Sequence, residues 1–151
     1  LIAGVATVAD DSLYERLHLT RRLTGLVASA DTAWLLERGL KTLEVRLDRM
    51  EASARALAER LAAHAAVTTT RYPGFGFLLS FDVADDAAAR RVEVATTLIE
   101  NATSLGGTRT KLESRRRWEG ERCPAGLLRL SVGLEPVEAL WADLELALAH
   151  A

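Results

Sequence analysis

Arg129 stands inside the run Leu127-Leu128-Arg129-Leu130-Ser131-Val132, a guanidinium in an otherwise apolar stretch. Such a charge needs an anionic partner, because burying it unpaired is costly. Two partners fit: a neighbouring carboxylate in a plain salt bridge, or a bound carboxylate gripped by parallel hydrogen bonds, a task suited to Arg. Ser104-Leu105-Gly106-Gly107 is the second feature. It reads either as an ordinary tight turn or as a place where small residues let backbone N–H groups approach an anion. Cys123, followed by Pro124, has no predicted base beside it and reads as a bystander thiol rather than a nucleophile. The sequence holds no P-loop, no paired metal motif and no nucleophile elbow, and Gly4 alone makes no dinucleotide fingerprint.

The elements that must carry these residues follow from periodicity. Leu1–Ala9 is β-branched and alanine-rich and reads as a buried strand, ended by Asp10-Asp11. A helix is expected from about Ser12 to Leu23, stopped at Gly25. Asp31 or Thr32 is expected to cap the longest helix, whose apolar seam runs through Leu36, Leu40, Leu43, Leu47, Met50, Ala54, Leu57 and Leu61. Glu37/Lys41 and Glu51/Arg55 are spaced as helical ion pairs, and Gly39 weakens an uninterrupted rod. Strands are expected at Val67–Arg71 and Phe75–Val83, turned by Tyr72-Pro73-Gly74.

Asp85 is expected to cap a helix carrying Ala88, Val92, Ala95 and Ile99 on one side. A short strand ending at Leu105 follows, and Arg109–Pro124 is read as polar, basic and irregular. Leu127–Val132 is a strand, and Glu135-Pro136 starts a last helix with proline first and Val137, Leu140, Trp141, Leu144 and Leu148 buried. The order helix, strand, strand, helix, strand, strand, helix predicts an α+β layer: an antiparallel sheet with helices on one face.

The 151 residues fit about one domain, and 49% hydrophobic with 26% charged residues fit a packed core. Nineteen basic against 21 acidic residues give a net charge of −2, which offers no general attraction for nucleic acid or an anionic membrane. Arg115-Arg116-Arg117 is the local exception and reads as a solvated face. A single cysteine excludes an internal disulfide framework, and His18, His64 and His150 lack metal-ligand spacing, so no metal is expected. A reducing, cytoplasmic setting is the simplest reading. No stretch approaches the roughly 20 apolar residues of a membrane span. A start without Met, directly in an expected strand, suggests a fragment, or a processed or incompletely recorded chain.

Several segments together resemble the Cys/Met-metabolism enzymes that depend on pyridoxal phosphate (PLP), the trans-sulfuration family. They are Arg38-Gly39-Leu40-Lys41-Thr42-Leu43 with Arg46, then Arg71-Tyr72-Pro73-Gly74, Gly76–Phe81, Ala102–Gly107 and Arg129–Glu135, in the family's order. Glu113–Gly120 (ESRRRWEG) with Pro124, Gly126 and Leu127 resembles bacterial cystathionine γ-lyase-like members, which carry an Arg-rich, Trp-containing loop there.

The resemblance implies the C-terminal part of a fold-type I enzyme. Residues 1–24 would be the tail of the cofactor domain with its connecting helix, and residues 25–151 the substrate-binding domain. It implies a homotetramer, a dimer of dimers, that eliminates or replaces a sulfur or oxygen group on an amino-acid substrate. Arg129 would bind the substrate α-carboxylate, with Ser104 and Leu105 assisting through side chain and backbone. Thr103 would bear on substrate preference. The family's cofactor lysine lies before the segment that Leu1–Ala9 resembles, so no catalytic or cofactor-binding residue is expected here, and neither Lys41 nor Lys111 replaces it. Between Gly74 and Phe75 the family carries a surface segment of about 15 residues, which is absent from this sequence. A second reading, from another class, is a free-standing non-catalytic domain acting in oligomer assembly.

Overall fold

The computed structural model describes residues 2–151. It divides into two compact units, Leu1–Glu44 and Val45–Ala151. In the first, Asp10 caps helix α1 (Asp11–Thr24) by accepting from the Leu13 N–H at 2.7 Å. Gly25 ends that helix in the left-handed region at φ 69°, where a residue without Cβ is at least cost. The expected strand does not form: residues 2–9 lie outside any strand and are mostly exposed, and Leu1 lies outside the described residues. A β-branched stretch becomes a strand only when a neighbour takes its backbone hydrogen bonds, and residues 2–44 hold no strand that could do so.

Helix α2 (Ala30–Leu40) is capped by Ser29, whose hydroxyl accepts from Thr32 N–H at 3.2 Å. The cap therefore lies two or three residues before the expected Asp31 or Thr32, and Asp31 sits instead in the first turn, where its charge suits the helix dipole. The long seam is split. The helix stops at Lys41-Thr42 and resumes as α3 (Leu43–Ala62). Its first half stays open, with Leu40, Leu43 and Leu47 exposed, whereas Met50, Ala54, Leu57 and Leu61 are buried.

The second unit is an α+β layer. Strands β1 (Thr69–Arg71), β2 (Leu78–Asp82), β3 (Glu100–Asn101), β4 (Lys111–Ser114) and β5 (Leu127–Ser131) form one sheet in the order β1-β2-β5-β4-β3. Three pairs are antiparallel, and β3 runs parallel to β4. The sheet is therefore mixed, because the segment 102–110 turns back before β4 and both strands run the same way. Leu79 and Phe81 of β2, Leu128 and Leu130 of β5 and Leu112 of β4 enter one buried cluster with α3, α4 (Asp86–Ala95) and α6 (Val137–Leu148). Period-two alternation then sends Ser80, Arg129 and Glu113 to the other face.

Local signals account for most of these boundaries. The Asp85 carboxylate accepts from Ala88 N–H at 2.8 Å, as a cap should. Pro136 stands just before α6 rather than as its first residue. The Phe75–Val83 expectation was too long, since Phe75 is exposed and the chain bends through Gly74 and Gly76 at φ 89° and 70° before β2 begins. β3 ends at Asn101, so Ser104 and Leu105 lie in a loop. The segment expected to be irregular, Arg109–Pro124, contains β4, the short helix α5 (Arg116–Glu119) and a 3₁₀ turn at Gly120–Arg122.

Candidate functional site

The face of the sheet turned from the helices carries an open cavity of about 940 Å³, lined by β1, β2, β5 and the turn between β1 and β2. That turn is tied to α3, where Glu51 accepts from Gly76 N–H at 2.7 Å and Arg55 donates to the Gly74 carbonyl at 2.8 Å. Three guanidinium groups, Arg71, Arg115 and Arg129, reach the cavity, and their hydrogen bonds distinguish them.

Arg71 is spent on Asp82, through two bonds of 2.8 and 2.7 Å. Arg115 is spent as well: Nε and Nη2 donate to Glu119 at 3.1 and 2.7 Å, and Nη1 donates to Glu113 at 2.7 Å. The bonds to Glu119 and Glu113 raise the Arg115 pKa, and Arg115 in turn holds the Glu119 carboxyl below the usual range. Arg129 differs. Its Nη2 donates to the Thr103 carbonyl and, at 3.0 Å, to Glu113 Oε2, while Nε and Nη1 meet no acceptor among the described residues. Three N–H groups of this side chain thus remain available.

The salt-bridge reading of Arg129 therefore holds. The salt bridge exists, to Glu113, directly opposite in the β4–β5 register. It uses one nitrogen and leaves most of the fork open. A two-pronged grip on a carboxylate needs Nη2 together with Nε or Nη1. An incoming carboxylate would therefore share or displace an acceptor on Nη2. The carbonyl of exposed Thr103 is cheaper to displace than the wholly buried Glu113.

The Ala102–Gly107 segment is held alongside Arg129 by the residues that follow it on β5. Ser131 Oγ accepts from Gly106 N–H at 3.0 Å. Beyond the strand, Gly133 N–H donates to Thr110 Oγ1 at 2.8 Å and Leu134 N–H to the Thr108 carbonyl at 2.9 Å. A Cβ at position 133 would stand 2.5 Å from that carbonyl, so only glycine permits the approach. Glu135 completes the clasp by accepting from Thr110 N–H and Oγ1 at 2.9 and 2.8 Å.

Of the residues expected at the site, Arg129 and Thr103 are brought together. Ser104 and Leu105 are exposed, and neither hydrogen-bonds Arg129. The Arg115–Arg117 run is not merely a solvated face. Arg115 joins the site, and Arg117 pairs with the buried Glu93 at 3.4 Å. Glu113 was missed, although its place opposite Arg129 makes it the partner any salt-bridge reading required. Cys123 is a free thiol whose nearest partner is the Gly120 carbonyl at 3.8 Å. No group of three His, Cys, Asp or Glu among the described residues is placed to hold a metal ion.

A cofactor aldehyde would need a free amine close to this cavity. Lys41 pairs with Glu37 at 2.9 Å, Lys111 pairs with Glu100, and neither lines the cavity. The described residues therefore fit a carboxylate but do not fit as the seat of PLP.

Cystathionine γ-synthase of Haemophilus influenzae is 35% identical over 159 residues, covering 99% of this chain and 43% of that protein. L-methionine γ-lyase of Brevibacterium sandarakinum is 38% identical over 168 residues, covering 95% of this chain and 42% of that protein. The crystal structure of MetB from Corynebacterium glutamicum superposes with a TM-score of 0.87 at 34% identity, covering 93% of this chain and 43% of that one. The chain thus spans less than half the length of these relatives. Both alignments run longer than its 151 residues, so the relatives carry residues it lacks. The Cys/Met metabolism PLP-dependent enzyme family matches residues 1–149, and the chain belongs to that family.

Proposed function

We propose that this chain is the substrate-binding part of a PLP-dependent trans-sulfuration enzyme. The whole protein would be a carbon–sulfur lyase, or would carry out γ-elimination or γ-replacement, on a sulfur amino acid such as cystathionine. The observation that carries the reading is the unequal state of the three cavity arginines. Arg71 has both terminal nitrogens on Asp82 and Arg115 has all three of its nitrogens on carboxylates, whereas Arg129 keeps two of three, Nε and Nη1, without an acceptor among the described residues. Arg129 grips the α-carboxylate of the amino acid. Thr103 yields its carbonyl contact as the ligand arrives and bears on substrate preference, and Ser104 and Leu105 close over the carboxylate through side chain and backbone. PLP, held outside the described residues, supplies the electron sink; this chain orients the amino acid.

Residues 1–24 belong in this reading to the tail of the cofactor domain and residues 25–151 to the substrate domain. The protein works in the cytoplasm as a homotetramer, a dimer of dimers. The exposed apolar side chains of residues 1–44, among them Leu23, Leu26 and Trp34, support assembly. Those same side chains favour the second reading, a non-catalytic assembly domain.

One variant separates the two. In the full-length protein with PLP bound, Arg129→Ala is expected to raise KM for L-cystathionine at least about thirtyfold, the lower range for truncating a charge partner of a carboxylate. The visible absorbance of the bound cofactor should stay. An unchanged KM would overturn the assignment of Arg129.

A further inference from the structure

Glu113 has no exposed surface, and its Oε2 accepts from two cations, Arg129 Nη2 at 3.0 Å and Arg115 Nη1 at 2.7 Å. Its other oxygen, Oε1, is buried without a hydrogen-bond partner. Those two guanidinium groups are the counter-charges of this buried carboxylate. If Arg129 were its sole counter-charge, the two would form a closed neutral pair with little attraction for a further anion. With Arg115 also bound, Glu113 divides its one negative charge between two cations, Arg115 being shared in turn with Glu119, and Arg129 is committed to Glu113 through a single nitrogen.

We infer that Arg115, acting through Glu113, is a positioning residue that keeps the Arg129 fork open for a substrate carboxylate. The inference rests on the reading of Arg129 given above. Arg115 acts through Glu113: it shares Oε2 with Arg129, so that Arg129 gives the carboxylate one nitrogen only. Its own place is set by the short helix α5. Arg115 stands just before the helix, Glu119 follows one turn later, and Arg115 Nη2 reaches Glu119 at 2.7 Å. Without Arg115, Glu113 would face Arg129 with Oε2 relieved of one donor and Oε1 already lacking one. A two-bond pair between them is then favoured. Such a pair takes Nη2 and an adjacent N–H, the same edge a bound carboxylate needs.

The test compares two probes that differ only by a carboxylate, L-2-aminobutyrate and propylamine. Each is titrated into the full-length PLP-bound protein and followed by the visible absorbance of the cofactor. Arg115→Met is expected to lower the preference for the amino acid over the amine about tenfold, the scale of one charge-assisted contact. Arg115→Lys, which keeps the charge, should retain most of that preference. A merely structural role would weaken both probes alike and leave the ratio unchanged, which would overturn the proposal. Should Arg115→Met fail to fold, the lysine variant decides. A ratio as low as that of Arg129→Ala would overturn the charge argument, and a ratio near the parent's would uphold it. Arg129→Ala separates the two levels. If it leaves the ratio intact, the carboxylate reading falls and this proposal with it; if it collapses the ratio while Arg115→Met does not, only the positioning role falls.

Discussion

Helices α1 and α2 of residues 1–44 bury no side chain, and Leu23, Leu26 and Trp34 are 77%, 72% and 62% exposed. In residues 45–151, Leu57, Phe81, Leu130 and Leu144 are wholly buried. Both units carry amphipathic helices. They differ in whether their own unit holds a second layer for the apolar stripe: all five strands belong to residues 45–151. Helical periodicity thus specifies an element and a face without specifying what covers it.

The largest test of that contrast sets Phe81→Ala against Leu23→Ala in this chain, each measured by urea unfolding. Removing the Phe81 ring from the core should cost about 3–5 kcal/mol, and removing the exposed Leu23 side chain less than about 0.5 kcal/mol. Similar losses would show that residues 1–44 are packed after all.

A second test lies within the core. Asp143 on α6 accepts from Thr97 N–H at 2.8 Å, Thr97 Oγ1 at 2.9 Å, Leu98 N–H at 3.0 Å and Ile99 N–H at 2.9 Å. These bonds fix the chain between α4 and β3. Asp143→Ala strands three backbone donors and should cost about 2–4 kcal/mol. Burial pushes the Asp143 pKa up, but the bonds from Ile99, Thr97 and Leu98 outweigh it and hold the carboxyl below its ordinary 3.8. A folded pKa below the unfolded one adds stability that is complete above the ordinary value and lost as pH falls through the folded one. Asp143→Asn should therefore flatten the decline of stability below about pH 4. An unchanged acid limb would remove Asp143 from this role.

Legibility in the sequence follows the same line between local and non-local partners. The Asp85 cap, the Asp10 and Gly25 ends of α1 and the buried stripe of α6 were readable because their partners lie within a turn or the helix period itself. β4 was hidden because Leu112 is its only apolar residue, and the buried Glu113 and Ser114 break the alternation that marks a strand. Glu113 is polar because it answers Arg129, on a strand 16 residues further along the chain. Arg129 itself was legible as a charge in an apolar run. Its partner was not, since Glu113 faces Arg129 only through the pairing of β4 with β5, and β4 carries no alternation from which to read that strand. The parallel β3–β4 pair escaped for a like reason, as two residues give no periodicity.

The smallest test returns to ion pairs, one from each unit. Glu37–Lys41 is a single contact of 2.9 Å with both side chains about 70% exposed. Arg71–Asp82 is a double contact across β1 and β2, with Asp82 only 10% exposed and Arg71 45%. Solvent screens the first almost fully, so Glu37→Gln should cost about 0.2–0.5 kcal/mol and lose even that in 1 M salt. The second is screened only at its arginine end. Asp82→Asn should cost about 1 kcal/mol, with part of the effect persisting in high salt, because the carboxylate's own surroundings exclude most ions. Equal salt sensitivity of the two variants would mean that the sheet shields Asp82 no better than open water shields Glu37. The contrast between the units would then reduce to apolar burial alone.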